Sequence, residues 1–269
     1  MLGKLETLGR ILASMEGVLV AYSGGVDSTF LLHAAVGILG HRCIAVTSSS
    51  PLHPASELCE AEQTALALGA RHRTIEGSEL QDPAVAGNPP DRCYHCKQRL
   101  FVSLKEIALV EGLSEVIDGS NLDDQHERRP GLRALKELEI RSPLAEARLT
   151  KHEIRVLSRR AGLPSWNRPA QSCLATRFPY GEQLTLQKLS RVSEAEGLLR
   201  AMGFGQLRVR SHGPLARVEV PSDSMQQLLR EASEVTEALK ELGYRFVTMD
   251  LDGYVSGSMD RTVLSEAET

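Results

Sequence analysis

Apolar and polar positions alternate in blocks along the first half of the chain. Gly17–Ser23 (GVLVAYS) is a short unbroken apolar run, the pattern of a strand buried on both faces. Phe30–Leu39 follows with helical spacing and stops at Gly40. Cys43–Thr47 reads as a second strand, and Ser56–Leu68 as a helix with Leu58, Ala61, Ala65 and Leu68 on one face. Thr74–Ile75 belongs to a third strand, Cys96–Val110 is helical, and Glu115–Asp118 is a further strand. Strand–helix alternation of this kind predicts an α/β fold, a parallel sheet with helices on both faces. Ligands of such sheets sit outside the carboxyl ends of the strands. Ser23, Thr47 and Asp118 are therefore expected on the rim of one crevice.

The pattern changes past residue 150. Thr150 and Glu153 form a capping box opening a helix through Arg160, which Gly162 and Pro164 end. Residues 164–181 contain three prolines and show no clear period. A helix over 186–202, strands at Gln206–Arg210 and Arg217–Val220, a helix over about 223–242 and a strand at Tyr244–Thr248 predict a small C-terminal α+β domain. The expected division is thus a domain over 1–163, a linker over 164–181 and a second domain over 182–269.

Composition narrows the class. The 269 residues are 42% hydrophobic and 25% charged, ordinary for a globular protein and unlike a disordered, collagenous or coiled-coil chain. Lys and Arg number 31 against 35 Asp and Glu, and the net charge of −4 argues against nucleic acid as a partner. No apolar run is long enough to span a bilayer, so no membrane role is expected. Leu2, Leu5, Leu8 and Leu12 share one face of an amphipathic N-terminal helix, interrupted as a signal by Glu6 and Glu16. Five cysteines, an odd number, argue against a disulfide framework, and a cytoplasmic location is the expectation.

The sharpest motif is Ser23-Gly24-Gly25-Val26-Asp27-Ser28, between the first strand and its helix. Two glycines let the backbone approach an anion, the first-turn N–H groups point at it, and both serines add hydroxyl donors. Asp27 repels a phosphate unless a cation lies between them, which points to Mg²⁺. The loop is neither G-x-x-x-x-G-K-[ST] nor G-x-G-x-x-G. The plain alternative is a glycine-rich turn with serine capping.

SGGVDS after a first strand resembles the PP-loop of the ATP pyrophosphatases, which split ATP between its α and β phosphates and attach AMP to a carboxyl or carbonyl oxygen. Three further stretches sharpen the resemblance: Asp118-Gly119-Ser120-Asn121-Leu122-Asp123-Asp124 and its continuation, residues 149–181, and residues 207–220. Pro169-Ala170, Cys173 and Arg177-Phe178-Pro179-Tyr180-Gly181 keep the spacing of the LarE family of sulfur transferases, which the chain resembles over nearly its whole length. The resemblance implies adenylation of pyridinium-3,5-biscarboxylic acid mononucleotide and its conversion to thiocarboxylates for the nickel-pincer cofactor of lactate racemase. Ser23 to Ser28, Thr47, Gly119 and Asp123 would then hold ATP, with Mg²⁺ partly on Asp27. Arg177, Arg208 and Arg210 would hold the substrate phosphate. A sulfur donor system and a homo-oligomer are further implications. Arg128 and Arg129 either neutralise phosphates or are solvated charges.

The cysteines bear on the sulfur source. Cys173 occupies the position at which some family members sacrifice their own sulfur. Cys93-Tyr94-His95-Cys96 adds two thiols, and three soft ligands can hold a [4Fe–4S] cluster with one iron open. The resemblance includes such three-cysteine members. A redox pair and half of a zinc site remain open for C-x-x-C. Cys43 reads as a small buried hydrophobe, and Cys59 lies on a helix. Arg208 and Arg210 alternate with Leu207 and Val209, which puts both guanidiniums on one strand face, to grip a phosphate or to be solvated. Rival functions are a tRNA 2-thiolation enzyme, which needs a basic face, and an ATP- or AMP-binding module without chemistry. An amidating synthetase would need an ammonia source that the sequence does not display.

Overall fold

The computed structural model describes residues 1–126, 130–169, 172–255 and 257–260. Arg128, Arg129 and Ala170 lie outside the described residues. The chain divides into two compact units, Met1–Glu79 with Asp91–Gln171 and Leu80–Pro90 with Ser172–Thr269.

In the first unit β1 (Val18–Ala21), β2 (Cys43–Ser49), β3 (Arg71–Glu76) and β4 (Glu115–Ile117) form one parallel sheet in the order β3-β2-β1-β4. Alternation along the strands divides the core. Val18, Val20, Cys43 and Ala45 face Leu8, Leu12, Phe30, Ile154 and Leu157. Leu19, Ile44 and Val46 face Phe101, Leu104 and Leu135. The sheet is therefore covered by helices on both sides, which is why its central strands are apolar throughout rather than alternating. β3 is the end strand of the sheet, paired with β2, and is largely exposed, so RHRTIE carries few apolar residues. Helix Leu2–Ala13 buries Leu8 and Leu12 but leaves Leu2 exposed.

The second unit has a sheet of its own, with β5 (Arg208–His212), β6 (Leu215–Glu219) and β7 (Phe246–Met249) in that order. β5 and β6 are antiparallel, and β6 and β7 parallel. Helices Leu186–Ala201 and Ala232–Glu241 close its core with Ala195, Leu199, Val235 and Leu239. The single helix expected over 223–242 is two, Met225–Arg230 and Ala232–Glu241, broken at Glu231. Leu80–Pro90, expected in the first domain, belongs to this unit: Asn88 donates to the Pro179 carbonyl (2.8 Å), and the Gly181 and Leu184 amides donate to Asn88 and Ala86. Among the described residues no helix is long and apolar enough to cross a membrane.

Candidate functional site

Ser23–Ser28 leaves β1 at its carboxyl end and opens helix Val26–Leu39, with Gly25 as N-cap. Gly24 has φ +72°, and a Cβ there would lie 2.9 Å from the Ala61 Cβ, so the loop is pressed onto helix Ala55–Ala67. Gly119, just past β4, supports the loop from the other side, for its Cβ would come 2.9 Å from the Ser28 amide nitrogen. Within the loop Ser23 Oγ and Ser28 Oγ are 3.1 Å apart, and the Ser28 hydroxyl donates to the Gly25 carbonyl. The first-turn N–H groups of the following helix have no intrahelical acceptor by geometry, which leaves them to an outside anion.

Asp27 carries the electrostatics. Its Oδ2 accepts from Lys151 Nζ, while Oδ1 is buried with no hydrogen-bond partner among the described residues. Burial raises its pKa, and the Lys151 charge acts against that rise. A buried carboxylate oxygen without a donor is costly unless something else occupies it, and a hard divalent cation suits it. Asp27 therefore fits Mg²⁺.

The rest of the rim is tied down locally. Asp118, buried, accepts from Ser120 Oγ at 2.6 Å and Ser142 Oγ at 2.5 Å. Asp123 accepts from the Lys151 amide at 2.8 Å, and Asp124 from the Asn121 amide at 2.9 Å. Both carboxylates thus have a structural task. Thr47 Oγ1 lies 2.9 Å from His72 Nε2, and burial lowers the His72 pKa. Gly119→Ala, whose methyl meets backbone rather than a yielding side chain, should weaken ATP binding measured by calorimetry at least tenfold while the circular dichroism spectrum is retained.

Two residues here were not brought out by the sequence reading. Lys151 is the first residue of helix Lys151–Arg160, directly after the N-cap of the Thr150–Glu153 capping box that the sequence predicts. A cation at that position opposes the helix dipole, and this was the available signal. Arg168 donates to the Gly24 carbonyl at 3.1 Å and pairs with Glu60, so it holds the loop from the Pro-rich stretch.

The cysteines are spread over both units. Helix Arg92–Val110 begins earlier than expected and places Cys93 and Cys96 three residues apart in its opening turns, on one face. Cys93 is exposed and Cys96 half-buried. Cys173, half-buried, precedes the short turn Leu174–Arg177 in the second unit. Cys93 and Cys96, one turn apart, are soft donors of the kind that ligate iron–sulfur clusters. Among the described residues no three His, Cys, Asp or Glu side chains are grouped to hold a metal ion. Cys43 is buried, and burial pushes its thiol up to about 12.

In the second unit the arginines are interior. Arg177 is bidentate to Glu196, at 2.8 and 3.0 Å, and its Nη1 holds the Ser172 carbonyl and the Thr176 hydroxyl, shaping the turn that follows Cys173. Arg208 and Arg210 lie on one face of β5 and are buried rather than solvated. Arg210 donates to Glu219 at 2.8 Å and to the Thr176 carbonyl, and its buried Nε has no partner among the described residues. Burial first, then the Arg177 charge, lower the Arg208 pKa.

A glycine-bent SGGVDS loop, joining the first strand of a helix-covered parallel sheet to its helix, defines an α/β protein of the PP-loop type. The chain is 43% identical over 97% of its length, and 98% of the relative's, to the uncharacterized protein slr1717 of Synechocystis. It is 38% identical over 97% of its length, and 95% of the relative's, to pyridinium-3,5-bisthiocarboxylic acid mononucleotide synthase of Lactiplantibacillus plantarum. A shorter match, 49% identical over 88 residues, covers 30% of this chain and 17% of tRNA(Ile)-lysidine synthase of Burkholderia mallei. No family model matches the chain. The whole-length likeness to the synthase shows that the chain belongs to the LarE family.

Proposed function

We propose that this protein is an ATP-dependent sulfurtransferase that converts the carboxylates of pyridinium-3,5-biscarboxylic acid mononucleotide to thiocarboxylates, toward the nickel-pincer cofactor. The observation that carries this reading is the whole-length likeness to the Lactiplantibacillus synthase, whose name gives the bisthiocarboxylic product. Each conversion needs two balanced steps. The substrate carboxylate attacks the α-phosphorus of ATP, the α–β bridge bond breaks, and pyrophosphate leaves with its charge. Sulfide sulfur then adds to the acyl carbon of the adenylate, the C–O bond to AMP breaks, and a thiocarboxylate and AMP result. Adenylation is necessary because a carboxylate resists nucleophiles and oxide is a poor leaving group, whereas AMP departs readily.

The residues divide these tasks. Ser23, Gly24, Gly25, Val26 and Ser28 offer amides and hydroxyls to the phosphates, and Asp27 holds one side of Mg²⁺, which would neutralise charge as pyrophosphate departs. Thr47, Gly119 and Asp123 shape the rim of the nucleotide site. Arg208 and Arg210 bind the substrate phosphate, a reading supported by their shared face on β5 and by the buried Arg210 Nε, which has no partner among the described residues. Arg177 positions the turn of Cys173 rather than reaching for an anion with donors already engaged. A [4Fe–4S] cluster on Cys93, Cys96 and Cys173 would supply the sulfur nucleophile. A separate sulfur donor and a homo-oligomer complete the reading.

The test uses anaerobically purified protein with the dicarboxylate, ATP, Mg²⁺ and sulfide. Pyrophosphate release together with a product in which oxygen is exchanged for sulfur is expected; ATP consumption with no thiocarboxylate refutes the assignment. Iron and acid-labile sulfide should be present and should be lost in Cys93→Ala and Cys96→Ala, together with repeated turnover. If those variants instead make a single thiocarboxylate per chain while Cys173 loses the mass of its sulfur, the sacrificial route holds and the cluster does not.

A further inference from the structure

Two helix N-termini converge at one side-chain pair. Asp27 is in the first turn of Val26–Leu39, and Lys151 is the first residue of Lys151–Arg160. Both ends carry partial positive charge; at the second the Lys151 and Glu153 amides are already held by Asp123 and Thr150, so the phosphate loop's own helix supplies the amides that favour an anion. At the second end Lys151 is misplaced by local rules, since an acidic residue would stabilise the helix there. Its backbone amide donates instead to Asp123, Thr150 caps the Glu153 amide two residues on, and its ammonium reaches Asp27. Asp27 uses only Oδ2 for this contact, leaving Oδ1 buried without a partner among the described residues. The pair is thus incomplete on the carboxylate side.

One turn on, Arg155 is anchored by the carbonyls of Trp166 (3.0 Å) and Arg168 (2.8 Å), and Arg168 in turn holds the Gly24 carbonyl. A row of cations on the second helix and the segment after it therefore backs the phosphate loop. Arg155 and Arg168 are fixed by carbonyl contacts. Lys151 has a flexible stem with three donors on a compact charge, one third of which remains exposed, so it can change partner without moving the backbone.

We propose that Lys151 is a polyphosphate-positioning residue with two partners: it neutralises Asp27 until a divalent cation takes that carboxylate, and its ammonium then passes to the phosphates of ATP. This rests on the proposed function and assigns that site a ligand that the loop motif does not contain. The exchange is favourable because a doubly charged cation would attract the Asp27 carboxylate more strongly than a single ammonium does, while the released ammonium would find an anion beside the loop it already borders. It also makes cation and nucleotide mutually supportive, since each removes the other's competitor.

The test is Lys151→Met, followed by Mn²⁺ binding read by electron paramagnetic resonance and α,β-methylene-ATP binding read by calorimetry. With the competing ammonium gone, Mn²⁺ alone should bind several-fold more tightly. The nucleotide in the presence of Mn²⁺ should bind about ten- to a hundredfold more weakly, the loss of one charge-assisted hydrogen bond. Lys151→Arg should recover part of the nucleotide affinity. These opposite shifts separate the proposal from a structural role, in which both affinities fall together. Equal nucleotide affinity in Lys151→Met and wild type, or weaker Mn²⁺ binding in the variant, overturns it. Wild-type protein that binds no nucleotide overturns the proposed function along with it, whereas a wild type that binds and a variant that binds equally well overturn this inference alone.

Discussion

Asp27→Asn is expected to lower ATP-driven pyrophosphate release by about 10²–10³-fold, the usual cost of deleting one preorganised charge at a reacting centre. The same substitution should leave thermal stability unchanged or raise it. Asp27 is a mostly buried carboxylate with one oxygen lacking a donor among the described residues, and burial is the largest influence raising its pKa. Such a group costs folding energy, and a neutral amide of the same shape relieves that cost. Lost activity with retained or increased stability marks a residue kept for chemistry. A coupled pyrophosphate assay beside a melting curve reads both, and a rate loss below tenfold would remove Asp27 from the metal site.

Glu196→Ala in the second unit should instead destabilise the protein by about 3–5 kcal/mol, the cost of leaving a buried charge unpaired. The Arg177 and Glu196 side chains are each 1% exposed, and Arg200 shares the carboxylate. The Val209 amide also donates to it, at 3.2 Å, so its loss reaches β5 as well. Burial acts most strongly on Glu196 and pushes its pKa up, yet Arg177, Arg208 and Arg200 together hold it below the ordinary value. A depressed carboxylate contributes stability above its unfolded pKa of about 4.3, and loses that contribution as pH falls through the folded value. The difference between wild type and variant should therefore be full at neutral pH and shrink below about pH 4. Urea unfolding at several pH values measures it, and a difference under about 1 kcal/mol at neutral pH would contradict the buried-pair account.

The α/β unit was legible because central parallel strands cannot hide their composition: VLVA and CIAVT admit no alternation. β3 was read only at Thr74–Ile75, since an edge strand facing solvent carries RHRTIE without an apolar signature. The break at Glu231 was not legible, because residues 223–242 contain neither Gly nor Pro. The phosphate loop was plain from its glycines, but its support was not. Gly119, Arg168 and Lys151 act on it from far along the chain, and local spacing does not encode distant contacts. The arginines of β5 showed the opposite limit. Period two put them on one face, but only the fold shows that Glu219 and Thr176 meet Arg210 in the interior.

The path of Leu80–Pro90 bears on how this molecule can be shortened. That arm leaves the first unit's sequence midway and is stitched by Asn88 and Ala86 to residues 178–184. A chain stopped after residue 171 would keep the arm but lose its hydrogen-bond partners, and Val85, Ala86 and Asn88, buried in the whole protein, would be stranded. No one truncation point yields either half intact, so a minimal version of the first unit must be made by excision and religation across 80–90.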